Sequence, residues 1–159
     1  MTPQQIISKV AVLQSAAKKM LNDIIFDYRV VPPKEPFCEW CDQGWPKFMP
    51  DKESGIYLLS SQEDKVIYIG KATKSNMGAE VWGKFNKYRL DSNGKKEFYQ
   101  NRFVLVKSSP EIRDAIQQGK VFLTFLIIDP AEMASLLEVY LQTTCYVQND
   151  WPELNQRIG

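Results

Sequence analysis

Three groups of side chains in this sequence have types and spacing that could do chemistry: two tyrosines, one helical glutamate and a block of lysines and arginines. The tyrosines lie in Gly55-Ile56-Tyr57 and Tyr68-Ile69-Gly70, separated by Leu-Leu-Ser-Ser-Gln-Glu-Asp-Lys-Val-Ile. That spacing predicts a strand, a polar turn and a second strand. With Ser61 to Asp64 as the turn, Ser60 faces Lys65, Leu59 faces Val66 and Tyr57 faces Tyr68. Alternation then puts both phenols on one face, where they either pack or act. A free phenol titrates near ~10 and is a poor base at neutral pH unless a cation lowers it. Lys71, three residues past Tyr68, is placed to supply that field. Glu138 lies in Ser135-Leu-Leu-Glu-Val-Tyr-Leu141, with Ala134, Leu137, Leu141 and Cys145 around it at helical spacing. A carboxylate fixed there is a hard-oxygen anchor for Mg²⁺. The plainer alternative is a rim glutamate whose stem covers the core while its head reaches water.

The net charge is only +1, but it is unevenly distributed. Residues 65–107 carry ten basic side chains against three acidic ones, a balance of +7; the rest carries ten against sixteen, or −6. Such a block suits a surface that tracks phosphates, or a solvated loop and helix face. The 159 residues suffice for one domain with a real core. No apolar run is long enough to span a bilayer, so no membrane partner is expected. The start, Met1-Thr2-Pro3-Gln4-Gln5, has no signal-peptide pattern. Three cysteines, an odd number, suit a reducing cytoplasm better than a disulfide framework.

The elements that must position these groups follow from periodicity. Residues 4–28 repeat apolar positions at three- and four-residue steps and predict a helix. Val31-Pro32-Pro33-Lys34-Glu35-Pro36 then reads as a connector. The hairpin follows, then a helix over Ala79–Leu90 with Val81, Trp82, Phe85 and Tyr88 on one side. Asp91-Ser92-Asn93-Gly94 is a turn, and Pro110–Gln118 a short helix. Val121–Ile128 predicts a central buried strand. Asp129, as cap, and Pro130 open a final helix to about Cys145. Residues 1–53 are expected to be an N-terminal helix and connector packed on a domain formed by 54–159.

The order of hairpin, helix, buried strand, helix with a central glutamate, then Pro152-Glu-Leu-Asn155, is similar to the GIY-YIG nuclease family from Gly55 to Asn155. The resemblance implies an α/β (α+β) fold, a small three-stranded antiparallel sheet flanked by helices, here with an N-terminal helical extension. It implies hydrolysis of DNA phosphodiesters with one divalent metal, Mg²⁺ or Mn²⁺. By position, Tyr57 would help activate water, Tyr68 and Lys71 would support it, Glu138 would hold the metal and Asn155 would close the domain. The family usually has an arginine on the helix after the second motif, whereas here none occurs before Arg89. Trp82, Phe85 and Arg89 share a helical face at i, i+3 and i+7, making Arg89 the candidate phosphate clamp. Lys84 and Arg102 stand behind it, and Lys74, Lys84, Lys87 and Asn155 are the candidate substrate contacts. Lysine is an imperfect substitute, lacking the bidentate fork.

Cys38-x-x-Cys41 lacks the further thiols or histidines of a complete zinc site, since Cys145 is the only other cysteine and there is no histidine. Trp40, Trp45 and Phe48 suit either base stacking or a loop stapled to the core. The N-terminal helix could pack on the domain, form a homodimer or contact DNA. The leading function is therefore a metal-dependent DNA endonuclease in the cytoplasm. A catalytically weak nucleic-acid-binding module and a partner-binding scaffold are the alternatives.

Overall fold

The structure, a computed structural model, describes residues 1–20, 25–36, 50–85, 88–90, 92–93, 96–98, 115, 120–155 and 157–159, with backbone alone at 32–36, 82–85, 88–90 and 96–98. Cys38, Cys41, Trp40, Trp45, Phe48, Lys87, Arg102 and most of the expected 110–118 helix lie outside these residues. The order is α1 (Pro3–Met20), β1 (Asp27–Pro36), β2 (Gly55–Ser60), β3 (Val66–Ala72), α2 (Met77–Phe85), β4 (Tyr88–Leu90), β5 (Lys96–Phe98), β6 (Phe122–Asp129) and α3 (Met133–Val147). The architecture is α+β. No described helix is long and apolar enough to cross a membrane.

The main sheet has four strands, not the expected three, in the order β1-β6-β2-β3, all antiparallel. The extra strand is β1, where the sequence reads as the end of a helix and a connector. Its prolines mislead, because an edge strand needs no amide hydrogen on its open side. The pairing absorbs them with a register shift between Val31 and Glu35.

The sheet is covered on both faces, which is why β2 and β6 read as continuous apolar runs rather than alternations. Ile56, Leu58, Ile69, Leu126 and Ile128 pack with Ile6, Val10 and Ala17 of α1 and with Ala134, Leu137, Leu141 and Cys145 of α3. Tyr57, Leu59, Leu123 and Phe125 pack on the other face with Met77 and Val81 of α2 and Leu154 of the tail.

The hairpin register differs from expectation by two residues. Tyr57 pairs with Gly70 and Leu59 with Tyr68, and an irregularity follows before Ser60 meets Val66. The turn takes in Lys65, whose carbonyl accepts from Ser61 N–H at 2.8 Å, and Asp64 adopts a left-handed φ of 63°. An even shift keeps the same side chains on each face, so the phenols still share one.

Two glycines are dictated by close approach. At Gly55, φ is 151° and an added Cβ would lie 2.0 Å from the Leu126 carbonyl oxygen. At Gly70 it would lie 2.4 Å from Tyr57 Cζ and 2.7 Å from Tyr68 Cε1. Gly70 is thus the floor on which both rings rest. Gly70→Ala should cost about 2–3 kcal/mol in urea unfolding, as overpacking a rigid site does, and should shift the tyrosine near-UV circular dichroism. A stability unchanged from the parent would show that the rings do not lie over this residue.

Two further expectations change. The helix predicted to reach Leu90 ends at Phe85, and Tyr88–Leu90 pairs with Lys96–Phe98, with a turn at Ser92 and Asn93 between them. Turn chemistry there outweighs the helical spacing of Tyr88 and Arg89. The final helix starts at Met133 with Glu132 at its cap position and no side-chain cap, so Asp129 ends β6 rather than capping α3. Its first amides are met by i→i−3 bonds, such as Met133 N–H to Pro130 O at 3.1 Å.

Candidate active site at the open edge of β3

β3 lies at one end of the sheet, so among the described residues one side of its backbone has no strand partner. The tail and α3 occupy that side instead. Leu154 N–H donates to the Ile67 carbonyl at 2.9 Å. Asn155 imitates a strand with its side chain: Oδ1 accepts from Ile69 N–H at 2.8 Å and Nδ2 donates to Ile69 O at 2.8 Å. Gln142 of α3 donates to the same carbonyl at 3.2 Å. Both amide groups of Asn155 therefore hold the strand between Tyr68 and Gly70.

Because Gln142 touches the edge, Glu138, one helical turn earlier on the same side of α3, also lies along it. Glu138 is buried and forms a 2.7 Å ion pair with Lys71 Nζ. The carboxylate oxygen in that pair has no further hydrogen bond among the described residues. Lys71 is on the α3 side of β3 by alternation with Ile69, whereas Tyr68 and Gly70 are on the α2 side. The ion pair and the phenols thus approach the same edge from opposite faces.

The Tyr57 and Tyr68 ring centroids are 5.8 Å apart at 36°. Tyr57 is fully buried and Tyr68 only partly so, which makes Tyr68 the phenol that solvent or substrate can reach. The Tyr57 hydroxyl is buried beside Tyr68 without a well-formed hydrogen bond. Burial is the main cause that raises Tyr57 well above the ordinary phenol value, and Tyr68, Glu80 and Glu138 add to it. Burial likewise pushes Tyr68 up to about 12, with Glu138 and Glu80 adding to the rise and the nearby Tyr57 hydroxyl opposing it. Lys71 does not pull Tyr57 down as expected; its ammonium is paired with Glu138. At neutral pH both phenols keep their protons.

Glu80 is the residue that sequence reasoning passed over. It sits in the first turn of α2, where Asn76 Nδ2 donates to its Oε1 at 3.2 Å. That helix is fixed by the preceding loop: Met77 N–H donates to Glu53 O, Gly78 N–H to Asp51 O, and Ser75 N–H to Ser54 Oγ. The available signal was a lone acidic residue between Lys74 and Lys84. Gln142 was also legible in principle, as a polar residue on the apolar stripe four positions past Glu138.

Tyr57 lies beside Tyr68 and Lys71 beside Glu138, two pairs on opposite faces of the sheet, with Glu138 near enough to act electrostatically on both phenols. Lys74 is exposed in the loop before α2. Lys84 lies in the last turns of α2 and Arg89 on β4 opposite Glu97, so Arg89 does not share a helical face with Trp82 and Phe85. Among the described residues no three Asp, Glu, Cys or His side chains cluster to cage a metal. Glu138 alone fits a hydrated Mg²⁺, which accepts one carboxylate with water and phosphate oxygens completing its shell. Among the described residues the buried side-chain polar atoms without a hydrogen bond are the Tyr57 and Ser60 hydroxyls and the Glu138 oxygen that faces Lys71; of these, the carboxylate oxygen is the one suited to hold such a group. No family model, curated protein or solved structure matches the chain.

Proposed function

We propose that the protein is a divalent-metal-dependent DNA endonuclease of the GIY-YIG type. The observation that carries the reading is a tilted phenol pair within the electrostatic reach of a buried, lysine-paired glutamate. Tyr68, with Tyr57 behind it, donates a hydrogen bond to the attacking water or to a phosphate oxygen. Lys71 supplies positive charge to the phosphate, and Glu138 holds Mg²⁺ or Mn²⁺. When bound, the ion stabilises charge developing on the phosphoryl oxygens. The basic segment 65–107, including Lys74, Lys84, Lys87 and Arg89, tracks the DNA backbone.

A second reading, a DNA-binding module with weak or no cleavage, is favoured by one observation. Two glutamates, and no described arginine, bear on the phenols, and both phenols are harder to ionise than usual. The test is duplex DNA incubated with the protein and Mg²⁺ or Mn²⁺. The proposal expects strand breaks that a chelator prevents. Salt-sensitive binding without breaks replaces it with the second reading, and absence of binding removes both.

A further inference from the structure

A buried carboxylate needs a counter-charge, and among the described residues Glu138 takes it from Lys71 alone. The Glu138 side chain is 9% exposed and that of Lys71 33%, so the lysine is the partner with more access to solvent. Resting on the nuclease reading, a divalent ion on Glu138 has to meet that ammonium. Two cations on one carboxylate repel, and the lysine, a point charge on a flexible four-carbon stem, is the one able to move.

We infer that Lys71 is a placeholder cation: it neutralises Glu138 before a divalent ion binds, and is displaced by that ion toward the substrate phosphate. Metal binding and lysine release are then one exchange. The site avoids a bare buried carboxylate, and it frees a positive charge for the phosphate when the metal arrives. The fold supplies the geometry, because Lys71 is anchored beside Gly70 on a strand edge locked by Asn155 and Gln142.

The exchange is tested by Mn²⁺ titration followed by electron paramagnetic resonance on the parent, Lys71→Met and Glu138→Gln. A neighbouring opposite charge changes a carboxylate's affinity for a competing cation by roughly 10- to 1000-fold. Lys71→Met should therefore bind Mn²⁺ about tenfold or more tightly than the parent, and Glu138→Gln should lose the site. A second measurement stands even where Lys71→Met folds poorly: amine acylation of the parent, read at Lys71 by mass spectrometry with exposed Lys74 as internal reference. Acylation of Lys71 should rise several-fold when Mg²⁺ is added, and Glu138→Gln should be reactive with or without it. Mn²⁺ binding that depends on Glu138 but is equal in parent and Lys71→Met, with acylation unchanged by metal, overturns the exchange and leaves the nuclease reading standing. Absence of Glu138-dependent Mn²⁺ binding in both proteins overturns the metal role of Glu138 and the exchange together.

Discussion

Glu138→Gln should abolish metal-dependent DNA cleavage, lowering the single-turnover rate by about 1000-fold or more while the protein stays folded. The size follows from what the residue supplies. A single preorganised charge-stabilising group is worth roughly 100- to 1000-fold in rate, and here it would also hold the ion. Glutamine keeps the shape and much of the hydrogen bonding but removes the charge that attracts a divalent cation. Folding should be affected modestly, by about 1–2 kcal/mol, because Lys71 is a third exposed and can turn to water. Duplex binding should persist, since the basic segment lies elsewhere in sequence. Cleavage that survives in Glu138→Gln would remove the residue from the mechanism.

Tyr57→Phe should separate activity from stability in opposite directions. The lost hydroxyl is buried without a well-formed hydrogen bond, so the folded protein should become more stable by about 1 kcal/mol. Cleavage should nevertheless fall by roughly 100-fold, because the proposed reaction uses the Tyr57 hydroxyl behind Tyr68 as a preorganised polar group. A polar atom retained at a cost to folding is what a working site leaves behind. The same variant carries a pH signature. Both phenols have folded values above the unfolded value near ~10. Their contribution is complete below that value and is lost as pH rises through about 12, where Tyr68 titrates. The parent should thus lose stability across that alkaline range, and Tyr57→Phe should lose it less steeply. Equal slopes by urea unfolding at pH 9, 10 and 11 would show that Tyr57 ionises as easily folded as unfolded.

Which parts of this arrangement could be read from the residues follows from where the signal lies. The shared face of Tyr57 and Tyr68 survives a two-residue register error, because side-chain parity depends only on whether the shift is even. β6 announces itself as an unbroken β-branched and aromatic run, and Glu138 by its place on a helical stripe. β1 was hidden by Pro32 and Pro33, residues that forbid a central strand but not an edge. Arg89 was placed by helical spacing that continues past the point where the chain turns into β4, and only the Asp91–Gly94 turn hinted at this. The amide of Asn155 shows how a long-range partner escapes local reading: its 2.8 Å bonds to Ile69 span 86 positions. The glycine of Tyr68-Ile69-Gly70 marks a turn or a close approach by type alone, and only coordinates reveal the two rings above it.

The central claim is that the phenols and Glu138, reaching the β3 edge from opposite faces, form one catalytic unit. The most direct test is a double-mutant cycle in single-turnover DNA cleavage, using Tyr57→Phe with Glu138→Asp, which keeps a charge and leaves measurable activity. Residues that act as a unit are strongly non-additive. The account predicts that the double variant cleaves little more slowly than the slower single variant. A double variant slowed by the full product of the two single effects would contradict it, showing two groups that act independently.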